Sequence, residues 1–267
     1  MALIIQVTTP SNSQTVHVPL SGSGMDIDIL WGDGEHDANV STKDPEHVYA
    51  TAGSYEITIS GSADLFGRVG ADTDYGKWRE HVKGVSEWSG LGITSFERVF
   101  SRLAGLTYLP LPATFPAEVT SMRAMLHYNT SVQAFSDISQ WDTSNVTDMW
   151  LLFGGNFTSL TGSLDLSGWN LSSCTNLSYA FQNCYNLTGV IVSGSGWDTS
   201  KVTTMAHIFD NCNKIVSLDV SGWDTSALTD LSYAFKNMYR ATTINVSGSG
   251  WATANGFMTT NSSASLD

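Results

Sequence analysis

The sequence predicts a mainly β chain with short helices, in two parts: a small antiparallel β-sandwich, then a stacked array of repeats. Three observations predict it. First, a tryptophan returns at Trp88, Trp141, Trp169, Trp197, Trp223 and Trp251, and a phenylalanine follows twelve residues later at Phe100, Phe153, Phe181, Phe209 and Phe235. One further copy has Thr114 in the tryptophan place but keeps Val119, Met122 and Leu126 in phase, so the steps are 26, 27, 28, 28, 26 and 28 residues. A fixed period of this size marks units that bury an apolar face only by stacking on their neighbours. Second, residues 1–63 alternate apolar and polar positions between turn signals. Third, only 14% of residues are charged, while Ser, Thr, Asn and Gly are plentiful.

The elements follow in order. Met1–Pro10 lacks a basic stretch and has too short an apolar run for a signal peptide, so it reads as a first strand. Asp26 to Trp31 alternates, placing Ile27, Ile29 and Trp31 on one face and Asp26 and Asp28 on the other. Gly32-Asp33-Gly34 is a turn, and Tyr55, Ile57 and Ile59 share a strand face. Residues 64–87 read as a linker, with Gly67, Gly70 and Gly76, that becomes an N-terminal cap on the array. Trp78, Val82 and Val85 are the candidates to cover its apolar end. Residues 88–255 are the array and 256–267 a tail.

Each repeat carries a helix-compatible stretch, such as Val146 to Phe153, with apolar residues at i, i+3, i+6 and i+7. A strand-compatible stretch follows, as at Leu187, Ile215 and Ala241. Extra Ser-Gly pairs at 193–196 and 247–250 lengthen some units. The Asp-Thr-Ser after Trp141, Trp197 and Trp223 is a capping or Asx-turn signal. A tryptophan once per repeat beside a glycine turn is expected in the core. Thr143, Thr199, Thr225 and Thr253 form one threonine column, too little for a flat ice-binding face.

Two resemblances emerge from these residues. Trp31-Gly-Asp-Gly34, His47-Val-Tyr49 and Gly53-Ser-Tyr-Glu-Ile-Thr-Ile59 resemble the PKD-type immunoglobulin-like domain, which implies a spacer or adhesion module. The unit from Phe181-Gln-Asn-Cys-Tyr-Asn-Leu to Trp197-Asp-Thr-Ser-Lys-Val-Thr-Thr-Met resembles the BspA-like leucine-rich-repeat surface proteins of bacteria. That family implies attachment to surfaces, matrix proteins or glycans, with no catalytic residue to carry over. The expected fold is therefore an N-terminal immunoglobulin-like β-sandwich plus a leucine-rich-repeat solenoid of about six coils.

Function classes narrow accordingly. Acidic residues number 25 against 12 basic, a net charge of −13, which disfavours nucleic acid and anionic membrane as partners. No apolar run of spanning length occurs, so no membrane insertion is expected. The six histidines are scattered, and no nucleophile-elbow, phosphate-loop or dinucleotide motif is present, so an enzyme is not expected and no cofactor or metal is assigned. Asp26, Asp28, Asp33 and Asp37 are a weak calcium candidate. Cys184 and Cys212 share a repeat position, so a bridge is conceivable. Met238 at the equivalent place favours small buried hydrophobes instead.

The residues between the strand leucines point away from the core. Asp165, Ile191, Asp219 and Asn245 form one outward column and Ser163, Gly189, Ser217 and Thr243 the next. These are the candidate ligand-binding residues, expected to be replaceable without cost to folding; the bland alternative is a solvated face. The expected partner is a host or neighbouring-cell surface glycan or protein. The absence of an export signal points to a phage virion protein on tail or capsid, whose N-terminal module docks other virion proteins. The alternative is a bacterial cell-surface leucine-rich-repeat adhesin.

Overall fold

The computed structural model describes residues 2–67, 76–103, 105–192, 197–246 and 265–266. The predicted insertions at 193–196 and 247–250, the centre of the predicted linker, Trp251, Thr253 and most of the tail lie outside the described residues. The fold is mainly β.

The first strands are β1 (Leu3–Thr9), β2 (Gln14–His17), β3 (Leu20–Ser21), β4 (Asp26–Leu30), β5 (His36–Val40), β6 (Glu46–Tyr49), β7 (Gly53–Ser62) and β8 (Leu65–Phe66). Helix α1 (Gly76–Arg79) and strand β9 (Val82–Trp88) follow. An antiparallel sheet runs β5-β4-β7-β1-β9, while β2 pairs with β6 and β3 with β8. Alternation fixes the faces as the sequence predicts: Ile27, Ile29, Ile57 and Ile59 are buried, and Asp26 and Asp28 are exposed. Val16, Leu20 and Tyr49 join the same core from the paired short strands.

The tryptophan–glycine motif works as one unit. Trp31 is buried, stacks on His47 at 4.9 Å and donates its Nε1 hydrogen to Asp37 at 2.8 Å. The Tyr49 hydroxyl donates to the Trp31 carbonyl at 2.7 Å, and Asp33 meets His47 Nε2 at 2.7 Å. Gly32 has φ +86°, and a Cβ there would lie 2.5 Å from the Glu56 carbonyl oxygen, so only glycine fits. Burial would raise the Asp33 carboxyl, but hydrogen bonds from His47 and the Glu35 N–H outweigh it and hold it below its ordinary value. Asp28 accepts from the Asn39 N–H. Three of the four calcium candidates thus have local partners.

The reading of 64–87 as a linker needs correction. Leu65 and Phe66 pair with Leu20 and Ser21, and Val82–Trp88 is an edge strand of the large sheet, paired with β1. Trp78, Val82 and Val85, the residues expected to cover the array, are buried. Trp78 Nε1 donates to the Val99 carbonyl at 2.7 Å, and Phe66 meets Trp78, Phe96 and Phe100 edge-on. Sheet and repeats therefore share one apolar core.

The repeats pair in parallel. Strands β10 (Tyr108–Leu109) and β11 (Ala134–Phe135) pair, as do β12 (Gly162–Asp165) and β13 (Leu187–Ile191). Strands β14 (Ser217–Asp219), β15 (Thr243–Asn245) and β16 (Ser265–Leu266) form a third group. A second line of contact runs through single parallel bridges, Leu65↔Ser95↔Ser121↔Asp148↔Asn176↔Thr204↔Asp230. Beside it stands an exposed threonine row, Thr94, Thr120, Thr147, Thr175, Thr203 and Thr229. From Thr120 onward each hydroxyl donates to the carbonyl of the threonine one repeat earlier. Thr143, Thr199 and Thr225, the column read from sequence, are buried.

The described tryptophans of the column, Trp88 to Trp223, are core, as predicted. Trp141, Trp169 and Trp223 are buried, and Trp141 stacks on Trp169 at 6.1 Å. Each donates its Nε1 hydrogen to a carbonyl about one repeat back: Pro112, Ile138 and Val192. The repeat with Thr114 is not missing a ring. Phe115, one residue on, stacks on Trp141 at 4.8 Å and meets Trp88 edge-on at 5.7 Å. Phe153, Phe181, Phe209 and Phe235 form a second stacked file at 5.1 to 6.1 Å.

The helix-compatible stretches are not helices. Among the described residues the repeats carry turns there, and α1 is the one helix. Leu151, Tyr179, His207 and Tyr233 have positive φ, as do Asn183, Asn211 and Asn237 four residues after the last three. A left-handed residue breaks the run of internal helical bonds. The freed N–H groups reach the next repeat instead: Met149 to Asn176, Leu151 to Ser178 and Phe153 to Ala180. The predicted Asx turns are present. Asp142, Asp198 and Asp224 accept from the N–H of Ser144, Ser200 and Ser226 at 2.8 to 3.0 Å.

Candidate functional site

The strands of the repeats place the predicted residues in two outward columns. Parallel register sets Asp165 beside Ile191 and Asp219 beside Asn245; Ser163 stands beside Gly189 and Ser217 beside Thr243. Between them Leu164, Val190, Leu218 and Ile244 point inward and are buried. Asp165, Ile191, Ser217 and Asp219 are exposed, and Thr243 and Asn245 are half-buried.

The face is not one continuous sheet. Among the described residues β11 and β12 are not paired, nor are β13 and β14. A cleft opens at each break. The first, of about 230 Å³, is lined by Gln133, Phe135, Asp137, Ser163 and Asp165. The second, of about 300 Å³, is lined by Ser163, Gly189, Ile191, Ser217 and Asp219. Ser163 borders both. Thr243 and Asn245 line neither, so the structure brings four of the six predicted residues to the clefts and sets two aside.

The carboxylates are fixed, not free. Asp137, Asp165 and Asp219 each accept from the N–H two residues on, of Ser139, Ser167 and Ser221, at 2.9 to 3.0 Å. The backbone and side-chain hydrogen bonds from Ser221 hold the Asp219 carboxyl below its ordinary value. One oxygen of each carboxylate closes the turn into the next tryptophan. This corrects the expectation that Asp219 can be replaced at no cost to folding. Asp137 was missed, although its place four residues before Trp141 matches Asp165 before Trp169 and Asp219 before Trp223.

Other reactive groups are engaged or muted. No cluster of three or more His, Cys, Asp or Glu able to hold a metal occurs among the described residues. Cys184 and Cys212 are buried free thiols, each donating to a phenylalanine carbonyl about one repeat back, Phe153 and Phe181. Burial pushes the Cys174 thiol up to about 12 and the other two upward as well, which leaves poor nucleophiles.

A second surface lies on the turns, and the sequence reading did not include it: Arg102, Tyr128 and Tyr233 are exposed there, and Arg123, Trp150, Tyr179, His207 and Lys236 are half-buried. The Tyr179, His207 and Tyr233 rings pile up at 4.8 and 4.9 Å, and Trp150 meets Tyr179 edge-on at 6.1 Å. Cations sit on this ribbon: Arg102 over Tyr128 at 5.1 Å, Arg123 over Trp150 at 4.0 Å and Lys236 over Tyr233 at 4.9 Å. Arg123 also reaches Asp148 at 3.3 Å, and His207 Nδ1 pairs with Asp210 at 2.8 Å. Nearby, burial first, then Arg102, Arg98 and Arg79, push the His127 imidazole down to about 4. The signal in the sequence was the residue two places after Met149, Leu177, Met205 and Leu231, which reads as helix interior under a helical period.

A family model described as "Mycoplasma protein of unknown function, DUF285" matches residues 73–164 and 155–264. No curated protein and no solved structure matches.

Proposed function

The chain belongs to the family described as Mycoplasma protein of unknown function, DUF285, and from that premise we propose a non-enzymatic recognition protein displayed on an exposed surface. Its strand face takes a surface glycan or protein. The N-terminal strands form an immunoglobulin-like module of the PKD type, and the repeats form a leucine-rich-repeat solenoid. The parallel register and the line of single bridges support that reading.

The observation that carries the function is the pair of clefts at the breaks of the strand face, with carboxylates pre-set by Asx turns. Fixed polar groups around shallow hollows of mixed polarity lose little entropy when a ligand docks. A phage tail or capsid is the carrier that the sequence suggested. The Mycoplasma description favours a second reading, a bacterial cell-surface adhesin. Immunogold labelling of virions and of cells separates the two.

Ser163→Tyr tests the face, because this exposed residue borders both clefts. On an array of cell-surface glycans and matrix proteins the variant is expected to lose attachment. Its stability should stay within ~0.5 kcal/mol of the parent. Full attachment by a normally folded Ser163→Tyr would remove the strand face from the function.

A further inference from the structure

We propose that the turn ribbon from Arg102 to Lys236 is a second binding surface, and that its ligand is an anionic polysaccharide. The inference shares with the proposed function only the premise of recognition at an exposed surface, since it uses none of the cleft residues.

The ring geometry sets the chemistry. Tyr179 stacks on His207 at 4.8 Å and Tyr233 lies against His207 at 4.9 Å, tilted by 30°, spacings close to the ~4.8 Å of parallel strands. Their faces are spent on one another, so solvent meets ring edges and polar tips. An aromatic edge is the positive side of the ring quadrupole and suits anionic oxygen. The His207 ring is held through Nδ1 by Asp210, which leaves its Nε2 to meet a sugar hydroxyl, a group that both donates and accepts. Tyr128, Tyr233 and Tyr239 add exposed phenols at 37%, 40% and 54% exposure.

The charges set the ligand class. The chain carries −13 overall, yet the ribbon is flanked by cations. Arg102 and Lys236 have no carboxylate within ion-pair distance among the described residues. Five repeat steps separate them, about 24 Å at the strand spacing. Asp148 and Asp210 lie along the ribbon between them. A nucleic-acid strand carries a charge about every 3.4 Å and would be repelled there. A polymer of hydroxyl-rich units with sparse charge fits.

The test titrates the full chain with keratan sulfate, hyaluronate, neutral dextran and a single-stranded oligothymidine, at low and high salt. At least one acidic polysaccharide is expected to bind in a salt-sensitive manner while neutral dextran does not. Binding of the sulfated polymer, the carboxylated one or both identifies the anionic group. The double variant Arg102→Gln, Lys236→Gln should weaken that binding about tenfold with its melting temperature unchanged, and Ser163→Tyr should leave it intact. Equal binding of neutral dextran, undiminished binding by the double variant, binding of neither acidic polysaccharide, or tighter binding of oligothymidine overturns the proposal. Loss of array attachment by Ser163→Tyr with acidic-polysaccharide binding kept would separate the two faces.

Discussion

At the residue scale, the clearest chemistry is acid–base. His127 is held neutral by burial and by three arginines, with its value pushed down to about 4, whereas an unfolded histidine titrates near 6.5. Between those values the unfolded chain binds a proton that the folded chain refuses, so stability falls as pH drops through about 6.5 toward about 4. A second loss follows at lower pH. Asp142, Asp198 and Asp224 are held below their ordinary values, chiefly by the serine side-chain hydrogen bond and then by its N–H. A depressed carboxyl stabilises above its unfolded value near 3.9 and loses that contribution as it protonates. The melting temperature should therefore fall in two stages. His127→Gln should flatten the upper stage and spare the lower; an unchanged upper stage would assign it to another group. The Asx turns were legible, because Asp-Thr-Ser states its own hydrogen bond. His127 was not, because its arginine neighbours come from other turns.

At the element scale, the repeat was read correctly in period and wrongly in conformation. Apolar spacing at i, i+3 and i+7 fits a helix, and it equally fits a chain that turns twice and sends its N–H groups to the next repeat. The left-handed positions decide between them. Asparagine at 183, 211 and 237 hinted at the second, since it tolerates this region. Tyrosine and histidine at 179, 207 and 233 gave no hint. The asparagines also form a ladder: Asn211 Nδ2 donates to Asn183 Oδ1 at 2.7 Å, and Asn237 Nδ2 donates to Asn211 Oδ1 at 2.9 Å. Asn211→Ala loses both bonds and strains a φ of +65°, which should cost ~3 kcal/mol. Asn211→Gly loses the bonds but not the conformation and should cost ~1 kcal/mol less. Chemical denaturation of the pair checks this. Equal losses would mean that the ladder alone matters. The clefts were hidden for a related reason: the outward columns are written in the repeat, but where the strands part is not.

At the scale of the whole molecule, the mainly β character was legible and the strand at Val82–Trp88 was not. Strand β9 escaped because two register shifts against β1, at Ile4/Ile5 and Gln6/Val7, break its alternation. Val82, Gly84, Val85 and Trp88 are all buried, a pattern no period of two produces. That strand ends on Trp88, the first tryptophan of the repeats, whose ring meets Phe96, Phe115 and Trp141. The same seven residues thus finish the sheet and start the stack. With the interface made of core residues, neither side can open without exposing the other, and the two should melt as one cooperative unit. Trp78 is the place to test this. It is 2% exposed, lies against Phe66 and bonds the Val99 carbonyl, so it touches both sides. Trp78→Ala should cost ~3–5 kcal/mol and lower a single calorimetric transition by roughly 10 °C, with calorimetric and van't Hoff enthalpies still equal. Two resolved transitions, only one of them displaced, would mean that sheet and repeats fold independently, and that the connection read from the sequence is a true domain boundary after all.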